Sequence, residues 1–234
     1  SITGNSFDNN IAGISASGYY GGALYLYYND DVQVRNNSFC TNSAYGGGAV
    51  YSYYAYGGLD EWTNNTFTEN IATWSGGGAV WFASNYYNEF INNTLVGNEA
   101  TQYGGGVRFQ ATYSTFFNNI VAYTQDGGGV YGDSASDTYS DFYYNDWYLN
   151  SPSDATGSLS FSTTANGNTT SAPGFVAYTL DGDCSNDDLR LASSSALIDQ
   201  GHPAYADVDG STADLGSTGG AGSSIFDGDG DGYD

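Results

Sequence analysis

The stretch NNTFTENIATWSGGGAVWF, residues 64–82, has neither the period of an amphipathic helix nor that of an alternating strand, and it recurs. NNSFCTNSAYGGGAVYS (residues 36–52) precedes it and NNTLVGNEATQYGGGVRF (residues 92–109) follows it. Self-similarity at a period of roughly 20–50 residues marks a solenoid or an array, and it decides the fold before any local assignment.

Anchored on the second asparagine of each pair, the repeats align at Asn5, Asn37, Asn65, Asn93, Asn119 and Asn145, spaced by 32, 28, 28, 26 and 26 residues. An apolar residue stands two places after each: Phe7, Phe39, Phe67, Leu95, Val121 and Trp147. Another stands three places before: Ile2, Val34, Trp62, Phe90, Phe116 and Phe142. Beyond the later apolar column come Asn10, Asn42, Asn70 and Asn98, then Thr124 and Asn150. A repeat of this length holds about three short strands, so each is one coil. The glycine content and the β-branched residues exclude paired helices. The expected fold is all-β, a right-handed parallel β-helix of about eight coils, its hand following from parallel crossovers. Stacked at about 4.8 Å, the apolar columns become the core, and the asparagines become a ladder of amides that satisfy one another.

Glycine runs precede another strand in each coil and end at Gly22, Gly48, Gly78, Gly106 and Gly129. A bend there calls for positive φ or close backbone approach. Ala23, Ala49, Ala79, Val107 and Val130 follow, and two places on stand Tyr25, Tyr51, Trp81 and Phe109. Alternation then places both columns inside and Arg108 outside, although the intervening Leu24, Val50 and Val80 are apolar too.

The repeats occupy residues 1–150, whereas residues 151–234 read as degenerate last coils and an acidic C-terminal tail of the same domain. The net charge is −23, from 26 acids against three arginines, with no Lys and no Met. The two segments carry 13 acids each, so the shorter one is the more densely acidic. Such a surface repels phosphate backbones and anionic lipid, so neither nucleic acid nor membrane insertion is expected. The absence of an initiator Met and of an apolar run near twenty residues suggests a processed product or an excised piece. Lysine-free, tyrosine-rich and acidic, the chain reads as extracellular.

Phe-x-x-Asn (FDNN, FCTN, FTEN) alternating with Gly-Gly-Ala-[Leu/Val] (GGALYL, GGAVYS, GGAVWF) resembles the repeats of the chlamydial polymorphic outer membrane proteins. It also resembles the wider group of bacterial secreted right-handed parallel β-helix proteins. The resemblance covers residues 1–150 and implies a surface-exposed β-helical passenger used in adhesion or as a stalk. Further on, DLRL, LIDQG and DVDG resemble the closing segment of bacterial β-helix proteins, with Leu197 where a proline usually stands.

Asp227, Asp229 and Asp231 with Gly232 match the first half of a calcium loop, and calcium is the one cofactor expected. Asp207 with Asp209, and Asp181 with Asp183, are shorter versions. Asn36, Asn64, Asn92 and Asn168 open N-x-[Ser/Thr] sequons and are candidate glycosylation sites, although the first three also follow from the paired-asparagine turn. His202 stands alone. Asp30, Asp31, Asp60, Glu61 and Glu89 fall at similar places on successive coils. They are either an acidic ridge, the favoured reading, or a glycosidase-type carboxylate pair. Cys40 and Cys184 lie about five coils apart, some 25 Å along a straight stack. A bond within the chain therefore requires the tail to fold back, the alternatives being free thiols or a bond between subunits.

The function expected is non-enzymatic: a self-assembling, head-to-tail fibre or surface stalk, built from a first coil that enters the ladder without a cap. The alternatives are a glycan-binding adhesin using the tyrosines of YLYY, YSYYAY and NYY, and a carbohydrate-active enzyme.

Overall fold

A computed structural model describes residues 1–13, 18–55, 57–134 and 140–223. Asp227, Asp229 and Asp231 lie outside the described residues. The chain is an all-β parallel solenoid with four stacks of short strands. The first sheet joins Ile2–Thr3, Gln33–Arg35, Asp60–Thr63, Tyr86–Ile91, Tyr113–Phe117 and Asp141–Tyr143. The second joins Ser6–Asp8, Ser38–Cys40, Thr66–Thr68, Thr94–Val96, Ile120–Ala122 and Asp146–Tyr148. Four two-residue strands, Ile11–Ala12, Ser43–Ala44, Ile71–Ala72 and Glu99–Ala100, make the third. The fourth stacks Leu24–Tyr27, Val50–Tyr53, Val80–Ala83, Val107–Gln110, Val130–Gly132 and Ala155–Gly157.

Six strands in a stack span about five full turns, fewer than the eight coils expected. The shortfall has a physical cause. After Gly157 only an isolated bridge, Thr169 to Asp146, continues the winding. The chain then leaves the stack, makes an antiparallel pair between Phe175–Ala177 and Asp188–Leu191, and returns along the solenoid's flank.

The columns align as the spacing predicts. Phe7, Phe39, Phe67, Leu95, Val121 and Trp147 are register partners in turn, as are Ile2, Val34, Trp62, Phe90, Phe116 and Phe142. Phenylalanine rings stack face to face at the strand spacing: Phe7–Phe39 at 4.9 Å, Phe39–Phe67 at 4.7 Å and Phe90–Phe116 at 5.1 Å. Burying each such ring stabilises the fold by about 1.5–3 kcal/mol.

Beside them run the amides. The side-chain oxygens of Asn37, Asn65, Asn93, Asn119 and Asn145 each accept the backbone N–H and Nδ2 of the asparagine one coil before. The column has one rung more than expected. Asn168 closes it, accepting from Asn145 at 2.9 Å while donating to Phe142 O. A second ladder links Asn10, Asn42, Asn70 and Asn98. The first asparagine of each pair has a different task. Asn36, Asn64, Asn92 and Asn118 take φ between 52° and 57°, the left-handed bend that asparagine tolerates. Glycine is required at the other corner: Gly77 has φ 71°, and a Cβ on Gly78 would strike the Gly105 carbonyl of the next coil.

The tail uses that first-asparagine column as a docking strip. Asn92 Nδ2 donates to the carbonyls of Asp214 (3.0 Å) and Gly216 (3.2 Å), Asn64 Nδ2 to Ser217 and Gly219, and Asn36 Nδ2 to Gly222. Leu191, Leu197 and Leu215 pack on Ile120 and Ala122. The cysteine separation expected for a straight stack is thereby overturned: Cys40 and Cys184 form a disulfide with Cα atoms 6.2 Å apart, because the tail doubles back over the coils that separate them in sequence.

Replacing Asn93 by Ala removes the acceptor of Asn65 and the donor to Trp62 O, both buried. Leaving such groups unsatisfied costs about 1–3 kcal/mol each. Urea denaturation should therefore show a loss of about 3 kcal/mol or more for Asn93→Ala, and less than about 1 kcal/mol for Asn5→Ala at the exposed end of the ladder. Equal losses would show that the ladder is not what holds the coils.

Candidate functional site

The fourth sheet carries the one extended aromatic face among the described residues. Its register pairs Tyr25 with Tyr51, Tyr51 with Trp81, Trp81 with Arg108 and Arg108 with Tyr131. This column points outward, opposite to the expected placement of the aromatics. Ala49, Ala79, Val107, Val130 and Phe109 do lie in the core as expected and Arg108 outside, but the inward column beside them is Leu24, Val50 and Val80, with Phe82, rather than Tyr25, Tyr51 and Trp81. The expected alignment paired Ala79 with Val107, but the coil containing Gly104–Gly106 is one residue shorter there, and Val80 is the true partner of Val107. A slip of one residue exchanges the two faces of a strand.

Outside the sheet, Tyr51 and Trp81 form a separate cluster with Tyr20 and Tyr53. Tyr20 stacks on Tyr51 at 4.7 Å and meets Trp81 edge-on at 5.5 Å. Tyr45 and Trp74, from the bends after the third sheet, lie nearly parallel at 6.3 Å. Together with Tyr103 and Arg108 they line an open trough of about 450 Å³, to which Gln102, Gln110, Ser75 and Ser84 add polar groups. Deep in it Tyr51 and Trp81 are each 7% exposed, whereas Trp74 is 59% exposed. The Trp81 indole N–H is buried with no hydrogen-bond partner. Burial, and the neighbouring Tyr20 and Tyr25, keep the Tyr51 phenol well above the usual tyrosine range, so it stays a neutral donor.

Arg108 is the cation of the trough, and it is already engaged. Its guanidinium lies 4.0 Å from the Trp81 ring centre and 4.9 Å from that of Tyr103. It donates through Nε and Nη2 to Asp133, and through Nη1 to Ser75 Oγ at 2.7 Å. A second aromatic patch adjoins the trough on the same sheet, with Tyr27–Tyr28 at 4.6 Å and Tyr53–Tyr54 at 3.8 Å. Of the tyrosines singled out in YLYY and YSYYAY, Tyr25, Tyr27, Tyr28, Tyr51, Tyr53 and Tyr54 are therefore brought together, while Tyr56 lies outside the described residues; Tyr87 of NYY is exposed elsewhere, on the first sheet. Trp74, Trp81 and Tyr103 were not foreseen as site residues.

The acidic positions separate by environment. Asp60 is fully buried, accepting from Asn29 Nδ2 and Val32 N, and burial pushes its carboxyl up to about 6. Asp30 and Asp31 accept the N–H groups of Gly57 and Leu59. Glu61 pairs with Arg35, and burial raises Glu89. Asp30, Asp31, Asp60 and Glu61 are thus spent on bends and an ion pair, whereas Glu89 stands beside Glu61 in the next strand. Asp207 accepts from Asp214 N and Gly220 N, and Asp209 from Ser211 N and Oγ. No three His, Cys, Asp or Glu side chains among the described residues stand together as a ready metal centre.

Of the sequon asparagines, Asn64 (4% exposed), Asn92 (3%) and Asn168 (7%) have their Nδ2 groups committed to carbonyls, so a glycan on any of them requires the tail or the ladder to move first. His202 lies against Phe117, Tyr144 and Tyr205. No helix of the described chain is long and apolar enough to cross a membrane. Comparison of the chain with protein-family models, with characterised proteins and with solved structures finds no match.

One acid predicts a pH dependence. Asp146 is fully buried where the tail leaves the stack. Its Oδ1 accepts Ser171 N at 2.9 Å, and Oδ2 has no partner. Burial, with Asp154 adding repulsion, pushes its carboxyl up to about 8. An unfolded aspartate titrates near 3.9, so the folded state holds an extra proton between the two values. The resulting stability is full below about pH 4 and is lost as pH rises toward 8. Thermal unfolding of Asp146→Asn and the parent at pH 5, 7 and 9 should show the variant's relative advantage growing with pH. A constant difference would mean that the carboxyl is not held neutral.

Proposed function

We propose that this chain is an adhesin-type carbohydrate-binding protein of the cell surface or extracellular space, holding neutral glycans in the aromatic trough. The observation that carries the reading is Trp74, 59% exposed yet kept parallel to Tyr45 by ring contact above the deeper rings of Tyr51 and Trp81. A rigid aromatic loses little entropy when a flat apolar sugar face settles on it. Gln102, Gln110 and Ser84 supply donors and acceptors for hydroxyls. Apolar walls with a few polar groups are the usual make-up of a small-ligand site.

Charge narrows the ligand class. Arg108 is neutralised by Asp133, and a net charge of −23 disfavours uronate or sulfated chains. The Cys40–Cys184 disulfide supports a location outside a reducing cytosol. Head-to-tail assembly, through the unpaired edges of the strands Ile2–Thr3, Ser6–Asp8 and Leu24–Tyr27, is the alternative proposal.

Titration with neutral and uronic-acid oligosaccharides, followed by tryptophan fluorescence and calorimetry, tests the reading. Neutral oligomers should bind and acidic ones should not, with Trp74→Ala weakening binding roughly tenfold while leaving the fold unchanged. Failure of every neutral glycan to bind, or a Trp74→Ala variant that binds like the parent, would defeat it. Light scattering of the same samples addresses the alternative: growth of long particles without glycan would favour assembly.

A further inference from the structure

Where the tail is clasped to the third coil, three buried oxygens have nothing to bond. Glu69 follows the strand Thr66–Thr68 with φ 54° and is 8% exposed. Its Oε2 accepts Gly182 N of the tail at 2.7 Å, so its carboxylate faces the loop at residues 181–187. Its Oε1 has no hydrogen-bond partner, nor have Asp187 Oδ2 and the Tyr178 hydroxyl. Glu69 and the Tyr178 hydroxyl meet at Gly97, where an added Cβ would strike the hydroxyl and come within 3.0 Å of Glu69 Cγ, and Asp187 belongs to the same loop, its Oδ1 accepting Thr179 N at 3.0 Å. The surroundings are negative: Asp187 and Asp181 both disfavour the charge on Glu69. The three arginines are engaged elsewhere, Arg35 with Glu61, Arg108 with Asp133 and Arg190 with Asp188.

The geometry points to a divalent-cation site at this clasp, where a hard, oxygen-seeking ion of the calcium class bridges Glu69 Oε1 of the solenoid and Asp187 Oδ2 of the tail. The loop supports it with oxygen side chains at alternate positions, Asp181, Asp183, Ser185 and Asp187, the spacing of the first half of a calcium loop. Such a loop needs a further carboxylate from later in the sequence. Here a distant coil supplies it in space. Asp181 and Asp183 spend oxygens on the loop itself, at Asp183 N, Asn186 Nδ2 and Ser185 N. Two carboxylates rather than three therefore face the ion, and water completes its shell. The affinity expected is that of weak extracellular sites, a Kd on the order of 10⁻⁴–10⁻³ M. The disulfide at Cys184, in the middle of the loop, holds the two halves of the site together.

The test uses the full chain with its disulfide intact, stripped with chelator and titrated with CaCl2 at pH 7.5 by calorimetry and thermal unfolding, with MgCl2 as comparator. The acidic C-terminus has carboxylates of its own, so the readout is the difference between the parent and Glu69→Gln or Asp187→Asn. Each variant should lose one bound calcium or weaken that step about tenfold or more. Each should also lose the rise in melting temperature that millimolar CaCl2 gives the parent, with an unchanged circular dichroism spectrum. Variants that bind calcium with the parent's stoichiometry and melting response would overturn the site. So would a parent indifferent to calcium but stabilised on acidification to pH 5, which would show that protons alone relieve the cluster.

Discussion

Register between coils is the constraint on which everything else in this protein depends, and the asparagine ladder enforces it. Each inner asparagine commits its backbone N–H and its amide to the next rung, while its own Nδ2 also reaches a carbonyl of the preceding coil, as Asn93 does with Trp62. Hydrophobic columns alone would tolerate sliding, because a phenylalanine ring packs on whatever apolar surface it meets. A buried amide does not, since any rung out of step leaves orphaned groups in the core. The ladder therefore holds Phe39 over Phe67 and Phe90 over Phe116, and it lets bends vary in length without disturbing the strands on either side.

That division explains what could be read in the sequence. Columns tied to the ladder at fixed offsets, such as Val34–Trp62–Phe90, were legible because the same residue types return at the same distances. The fourth sheet lies across a bend from the ladder, and its offset changes by one between GGGAVWF and GGGVRF. Aligned on the glycines, Trp81 falls beside Phe109 and reads as core. Aligned on the strand, it falls beside Arg108 and reads as surface. The signal that separates the two was present: Leu24, Val50, Val80, Val107 and Val130 form an unbroken aliphatic column, and a column of that kind belongs inside.

The tail was not legible, for a different reason. Past the Asn168 rung the chain carries no period, and what places residues 214–222 is the complementarity of one asparagine column to their backbone carbonyls. A left-handed asparagine reads as a turn residue or a sequon, and both readings are local. Its role as a docking strip appears only when four of them line up over successive coils. The spacing along a straight axis put Cys40 and Cys184 out of reach unless the tail folded back, and of the alternatives left open it is the fold-back that the structure shows.

Cohesion and charge are consequently separate in this molecule. Rings and amides hold the coils, so acids are free to accumulate on the outside, and all three arginines serve local pairs. The buried Asp60, Asp146 and Glu69 and the half-buried Asp207 lie at joints. Asp60 braces the bend at Asn29 and Val32, Asp146 receives the tail at Ser171, Asp207 gathers the loop at Asp214 and Gly220, and Glu69 meets Gly182 at the clasp. Burial raises the carboxyl in each of the four. Three of these joints, at Asp146, Asp207 and Glu69, fasten the tail, whereas Asp60 sits between coils, so protonation bears on both. The aromatic trough is built on the fourth sheet, and none of the tail's residues lines it.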